Sequence, residues 1–299
     1  MTSTVVILGC GYVGTELGRR LATSDAIESV TGVRRSADGV SAIETAGFDA
    51  LQGDLTEDET LAFLPDADVV VFAASAGGGD TTTAREVYVE GQQAVIEHFG
   101  DREHPPERYF YTSSTGVYGD HGGEWVDEET PLEATSDRSR VLVEAETVAL
   151  ETASEHGMDG TVARFAGLYG PGRYRLDRYL TGPVTEGVLN LTHRDDAAGA
   201  LAFFIEEDCA RGEVVLVVDD EPVSKWELAD WLAKQCGAPA PPKQTKADRL
   251  ADESLSSAAR QRIQAAKRCR NEKLRALGYT LQYPSFREGY RNAVETSSI

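Results

Sequence analysis

An apolar run that feeds three spaced glycines and then a helical period constrains this chain more than any other feature. Val5-Val-Ile-Leu8 leads directly into Gly9-Cys-Gly-Tyr-Val-Gly14, and residues 15–23 continue with helical spacing. The spacing G-x-G-x-x-G is weak alone, but a strand before it and a helix after it supply the context a dinucleotide loop needs. Gly9 permits the tight turn, Gly11 lets the backbone approach a pyrophosphate, and Gly14 lets helix and strand pack closely. The N-terminus of that helix then offers free N–H groups and a positive dipole end to phosphate, and Tyr12 and Val13 of the loop are expected to contact the cofactor with the glycines.

Further short runs rich in Val and Phe recur at 30–33, 69–72, 109–111, 162–165 and 214–218, most of them separated by helical segments such as 84–99 and 141–154. Alternation of this kind predicts an α/β fold, a doubly wound parallel Rossmann sheet. The core is expected over residues 1–170 and 191–220. Residues 171–190 and 221–299 are expected to form a small, mainly helical C-terminal cap that binds substrate. Ser224 and Glu227 have capping-box spacing for a helix over 225–235, residues 245–270 read as a polar helical stretch, and Ser285 with Glu288 opens the last helix. Asp195 or Asp196 reads as the N-cap of an apolar helix over 197–205, with His193 packing at a strand end.

The end of the second strand bears on which dinucleotide is bound. A site selective for NAD places a carboxylate there for the ribose 2′-hydroxyl. Here the strand ends in Arg34-Arg35-Ser36. Two guanidiniums match a 2′-phosphate through charge-assisted contacts, so NADP is expected in preference to NAD. Asp54, in Gln52-Gly-Asp-Leu55, is placed to accept from the adenine amino group. Ala73 and Ala74, ending the fourth strand, let a cofactor lie against small side chains.

Charge narrows the partners. The chain of 299 residues carries 50 acidic against 29 basic side chains, net −21, which opposes binding to a phosphate backbone. Only six of the basic residues are lysine, the first being Lys225. Richness in Asp and Glu with scarce lysine resembles proteins of high-salt cytoplasms. With no apolar run near membrane length and no leader-like start, a cytoplasmic protein is expected. The four cysteines are far apart without metal-ligand spacing, so reduced thiols and no metal are expected. A small-molecule substrate is the implied partner, and a homodimer is left open.

Four segments together resemble the extended short-chain dehydrogenase/reductase family, the NAD-dependent epimerase/dehydratase group. They are Gly9-Cys-Gly-Tyr-Val-Gly14, Thr112-Ser-Ser-Thr-Gly-Val-Tyr-Gly119, Arg164-Phe-Ala-Gly-Leu-Tyr-Gly-Pro-Gly172 and His193-Arg-Asp-Asp196. The tail over 274–289 looks like that of an atypical subgroup. The resemblance implies hydride transfer with a nicotinamide cofactor, a serine holding the substrate oxygen, and a Tyr-x-x-x-Lys pair moving the proton. Ser114 matches the serine. The pair is replaced by Ser136 and Arg140, and no lysine exists before Lys225 to take the role. Arginine keeps its charge and does not shuttle protons, so Arg140 is expected to hold the nicotinamide ribose and Tyr118 is the first candidate for proton transfer, followed by Tyr169. Arg173, Arg175 and Arg178 are candidates to meet an anionic, sugar-nucleotide-like substrate. The implied function is an oxidoreductase or epimerase acting on a hydroxyl or carbonyl; the alternative is an inactive NADP(H)-binding sensor or partner-binding module.

Overall fold

The computed structural model describes residues 2–77 and 80–296. Seven strands form one sheet: β1 Ser3–Leu8, β2 Ile27–Arg34, β3 Asp49–Gln52, β4 Val69–Phe72, β5 Arg108–Ser114, β6 Asp159–Phe165 and β7 Glu213–Val217. Every neighbouring pair is parallel, in the order β7-β6-β5-β4-β1-β2-β3. Because successive side chains in a strand face opposite ways, a strand covered on both sides must be apolar throughout. β1 shows this directly. Val5 and Ile7 join one core with Leu17 and the alanines of helix Arg194–Glu206, while Val6 and Leu8 join the other with Tyr88, Val95 and Ala145.

The strand order reverses between β1 and β4, and a crevice opens there at the carboxyl ends of the strands. Helix Tyr12–Leu21 starts in that crevice and packs on Arg194–Glu206. Across the sheet lie Thr81–Gly100 and Asp137–Glu155, each interrupted by a π-helical turn, Glu86–Glu90 and Val148–Thr152.

The cap has its own apolar centre, in which Leu228 and Leu232 of helix Lys225–Gln235 meet Phe286 and Tyr290 of helix Phe286–Thr296. Tyr290 stacks on Tyr169 of the core, centroids 4.9 Å apart. No helix among the described residues is long and apolar enough to cross a membrane.

Several local expectations change. Helix Arg194–Glu206 starts three residues before the expected Ala197, so neither Asp195 nor Asp196 caps it; His193 does, its Nδ1 accepting from the Asp195 N–H at 3.2 Å. Asp196 is instead buried and accepts from the Gln282 and Tyr283 N–H groups at 2.7 and 2.9 Å, tying the tail to the core. Ser224 stands at the N-cap without a side-chain cap bond, and the Glu227 carboxylate accepts from Arg287 at 2.7 Å, so the expected capping box does not form. The stretch over 245–270 divides into two short helices, Lys246–Leu250 and Ser257–Gln264, before Arg268–Cys269 pairs with Trp125–Val126.

Candidate active site

The dinucleotide loop is shaped by what its glycines leave out. Gly9 has φ +70°, and a Cβ there would fall 2.2 Å from the Ala74 Cα, so the loop and the end of β4 touch backbone to backbone. At Gly14 a Cβ would stand 3.0 Å from Ile7, where helix and strand meet. Gly11 differs. The nearest atom to a Cβ there is Arg34 Nη1 at 2.8 Å, so the guanidinium from the end of β2 lies over the loop.

Two adjoining cavities follow. One, of 170 Å³, is lined by Arg34, Arg35, Asp54 and Leu55 with Gly9 and Ala74. Arg35 is exposed and lies 3.5 Å from the Asp54 carboxylate. Burial alone would raise the Asp54 carboxyl, but hydrogen bonds from the Thr56 N–H and hydroxyl, with Arg35 nearby, hold it below the usual carboxylate range. It is thus kept as an acceptor.

The second cavity, of 330 Å³, shares Gly9, Arg34, Ala74 and Ser75 with the first and continues past Gly11, Tyr12, Val13, Gly14 and Ala73. Its far wall comes from the ends of β5 and β6, including Ser113, Ser114, Phe165 and Ala166, together with Tyr88, Tyr111 and Arg173. The Ser114 hydroxyl oxygen accepts from the Gly116 N–H at 3.1 Å as the cap of the turn Thr115–Tyr118. Arg173 lies over the Tyr12 ring, 4.1 Å from its centroid, and burial pushes the Tyr12 phenol up to about 12.

Two expected site residues do not join this cleft. Tyr118 is wholly buried behind β5, its hydroxyl donating to the Asp127 carbonyl at 2.7 Å and accepting from Arg164 Nη1 at 2.7 Å. Nothing is left on it to move a substrate proton. Arg140 is turned to solvent, where its guanidinium donates to Asp137 and to the Ala134 and Thr135 carbonyls, because it sits on the outer face of helix Asp137–Thr147. Ser136 caps that helix, accepting from the Ser139 N–H at 3.0 Å in a capping box. Tyr169 is buried in the seam between core and cap, stacked on Tyr290.

Of the candidate substrate arginines, Arg173 reaches the cleft. Arg178 lines a separate cavity of 480 Å³ in the cap, where Lys225, Arg249 and Arg262 also converge and no carboxylate lines the wall. Arg175 lines neither. Beneath Ser114 runs a buried network that sequence reading missed: Arg164 forks onto Glu146 at 2.7 and 2.9 Å, and Ser113 donates to Glu146 at 2.6 Å. Nothing in the sequence singles out Glu146, since Glu144 and Glu151 stand in the same helical stretch.

A profile of the NAD dependent epimerase/dehydratase family matches residues 5–211. The chain belongs to this family. Among its relatives, protein YeeZ of Escherichia coli strain K12 is 34% identical over 215 residues, which is 68% of this chain and 73% of that protein. A functionally unknown conserved protein from Silicibacter pomeroyi is 28% identical, each chain being covered completely, with a TM-score of 0.76. The UDP-glucuronic acid 4-epimerase of Bacillus cereus, solved with UDP-glucuronic acid and NAD, superposes over 98% of each chain with a TM-score of 0.79 at 17% identity, and so shares the fold.

Proposed function

We propose that this epimerase/dehydratase-family protein is an oxidoreductase or epimerase that uses NADP(H), acting on a hydroxyl or carbonyl of a small anionic substrate resembling a sugar nucleotide. The observation that carries the reading is the continuity of the cleft: the dinucleotide loop, Arg34 and Ser114 all line connected space. The cradle fits a dinucleotide, since the missing Cβ of Gly11 leaves the loop open beneath the Arg34 guanidinium. Gly9, Gly11 and Gly14 hold the pyrophosphate, Asp54 and Leu55 the adenine, and Ala73 and Ala74 flank the remainder. Arg34 and Arg35 hold the 2′-phosphate. The bound nicotinamide supplies or accepts hydride. Ser114 donates to the reacting oxygen and orients it. The cavity with Arg178, Lys225, Arg249 and Arg262, whose lining includes no carboxylate, supports an anionic substrate.

The second reading, a cofactor-binding module without turnover, is favoured by one observation: neither Ser136 nor Arg140 lines the cleft. Fluorescence titration with NADPH and NADH, followed by carbonyl probes, separates the two. NADPH is expected to bind more tightly by about 1–3 kcal/mol if both guanidiniums reach the phosphate. The double variant Arg34→Ala, Arg35→Ala is expected to lose that preference. Equal affinity of the wild type for both cofactors would remove the NADP assignment, and tight binding without turnover of any probe would favour the second reading.

A further inference from the structure

The cleft lacks the family's proton donor, yet one phenol stands in it on partners that suit the task. Tyr88, 7% exposed, lines the wall it shares with Ser113 and Ser114. It rides on the π-helical turn Glu86–Glu90, set between helices Thr81–Arg85 and Gly91–Gly100. Such a turn re-aims the side chains within a helix and is frequent at functional sites. The Tyr88 oxygen accepts from the Ala76 N–H at 3.1 Å and from Arg138 Nη2 at 3.4 Å, and the guanidinium carbon lies 5.9 Å from the ring centroid. Ala76 follows β4 and Arg138 belongs to the first turn of helix Asp137–Thr147, so three elements converge on one oxygen. With two donors on its lone pairs, what the hydroxyl still offers is its proton.

We propose that Tyr88 is the proton-transferring residue of this site and that Arg138 is its positioning residue. The inference rests on the oxidoreductase reading above. In the reducing direction the Tyr88 O–H bond breaks and its proton passes to the carbonyl oxygen, while the carbonyl carbon takes a hydride from the reduced nicotinamide. The substrate leaves as an alcohol, the cofactor leaves oxidised, and the Tyr88 oxygen regains a proton from solvent. The two donors stabilise the negative charge that the oxygen carries in between, which is the service a lysine gives in the usual pair. The cavity's other phenols, Tyr12 and Tyr111, have buried hydroxyls that accept from no donor among the described residues.

Two measurements test the assignment on the whole chain. In the first, Tyr88→Phe, Arg138→Ala and Arg138→Lys are assayed with NADPH and 9,10-phenanthrenequinone, and with NADP⁺ and UDP-glucose. Tyr88→Phe is expected to lower kcat/KM by about 10²-fold or more while the NADPH Kd from fluorescence changes by less than about threefold. Arg138→Ala is expected to lose about tenfold and Arg138→Lys to regain part of that, which a purely structural role would not produce. In the second, which needs no turnover, adenosine carrying a 5′-benzoyl sulfonyl fluoride is offered to the wild type and the modified peptide is mapped. The label is expected on the Tyr88 oxygen with loss of fluoride, blocked by NADP⁺ and diminished in Arg138→Ala. A wild-type rate in Tyr88→Phe would overturn the proposal and leave the oxidoreductase reading standing. If the wild type turns over neither probe, that reading is what fails, and the label still decides: Tyr88 modified supports its reactive placement, and another residue modified with Tyr88 intact overturns it.

Discussion

Ser114 and Ser136 are both serines at helix entrances, and only one of them reaches the cleft. Ser114 caps a short turn at the end of β5 and lines the cavity, whereas the Ser136 oxygen is spent on Ser139. Ser114→Ala is therefore expected to lower kcat/KM by about 10²-fold, the cost of one oriented donor at a reacting oxygen. Ser136→Ala is expected to leave the rate near wild type and to cost about 1 kcal/mol of stability through the lost cap. Steady-state kinetics beside denaturant melts checks both, and a severe rate loss in Ser136→Ala alone would reverse the assignment. What was legible at this scale depended on a residue standing out from its surroundings. Glycines between a strand and a helix do, as do two arginines at a strand end. Tyr88 does not, since a tyrosine inside an apolar helical run looks like core until a π turn and a guanidinium show otherwise.

Among the elements, the central strands could be read because double burial makes their middles apolar, and Val69–Phe72 is buried at every position, whereas the edge strand Asp49–Gln52 has no buried residue. Helix starts were less legible, because a cap is decided by which competing partner claims a side chain. Tail N–H groups claim Asp196, Arg287 claims Glu227, and His193 takes the cap position. The Arg164–Glu146 pair joins β6 to helix Asp137–Thr147, with Ser113 of β5 as a third member, and both charged side chains are about 5% exposed or less. Burying two charges is costly, so the pair adds little over an apolar substitute, but removing one partner strands the other. Glu146→Ala is expected to cost about 3–5 kcal/mol and to free Ser113 next to the cleft. Urea melts read the loss. A cost below about 1 kcal/mol would mean that solvent reaches Arg164 and that the network is not sealed.

For the whole molecule the dominant quantity is charge, and its division along the chain sets two effects of salt against each other. Residues 225–299 carry 14 basic and 8 acidic side chains, so the surplus of carboxylates lies in residues 1–224. The tail docks on the acidic body partly through ion pairs: Lys273 to Glu213 at 2.7 Å, Arg287 to Glu221 at 2.5 Å, and Arg275 to Asp220. These side chains are 30–44% exposed, so each pair contributes at most about 1 kcal/mol, and salt removes part of it. Against that stands self-repulsion from a net charge of −21, spread over distances longer than any one pair. Between 0.1 M and 1 M salt the screening length falls from about 10 Å to about 3 Å, which suppresses the long-range repulsion almost entirely while contacts near 3 Å are only weakened. Repulsion therefore loses more than attraction does. Thermal melts in 0.1 M and 1 M KCl are expected to show Tm rising by about 2 °C or more, equivalent to roughly 1 kcal/mol for a chain of this size. Replacing Lys273 with Ala should leave the rise in place, since it removes one attraction and none of the carboxylates. A Tm that falls with salt in the wild type and ceases to fall in Lys273→Ala would show instead that docking of the tail governs stability.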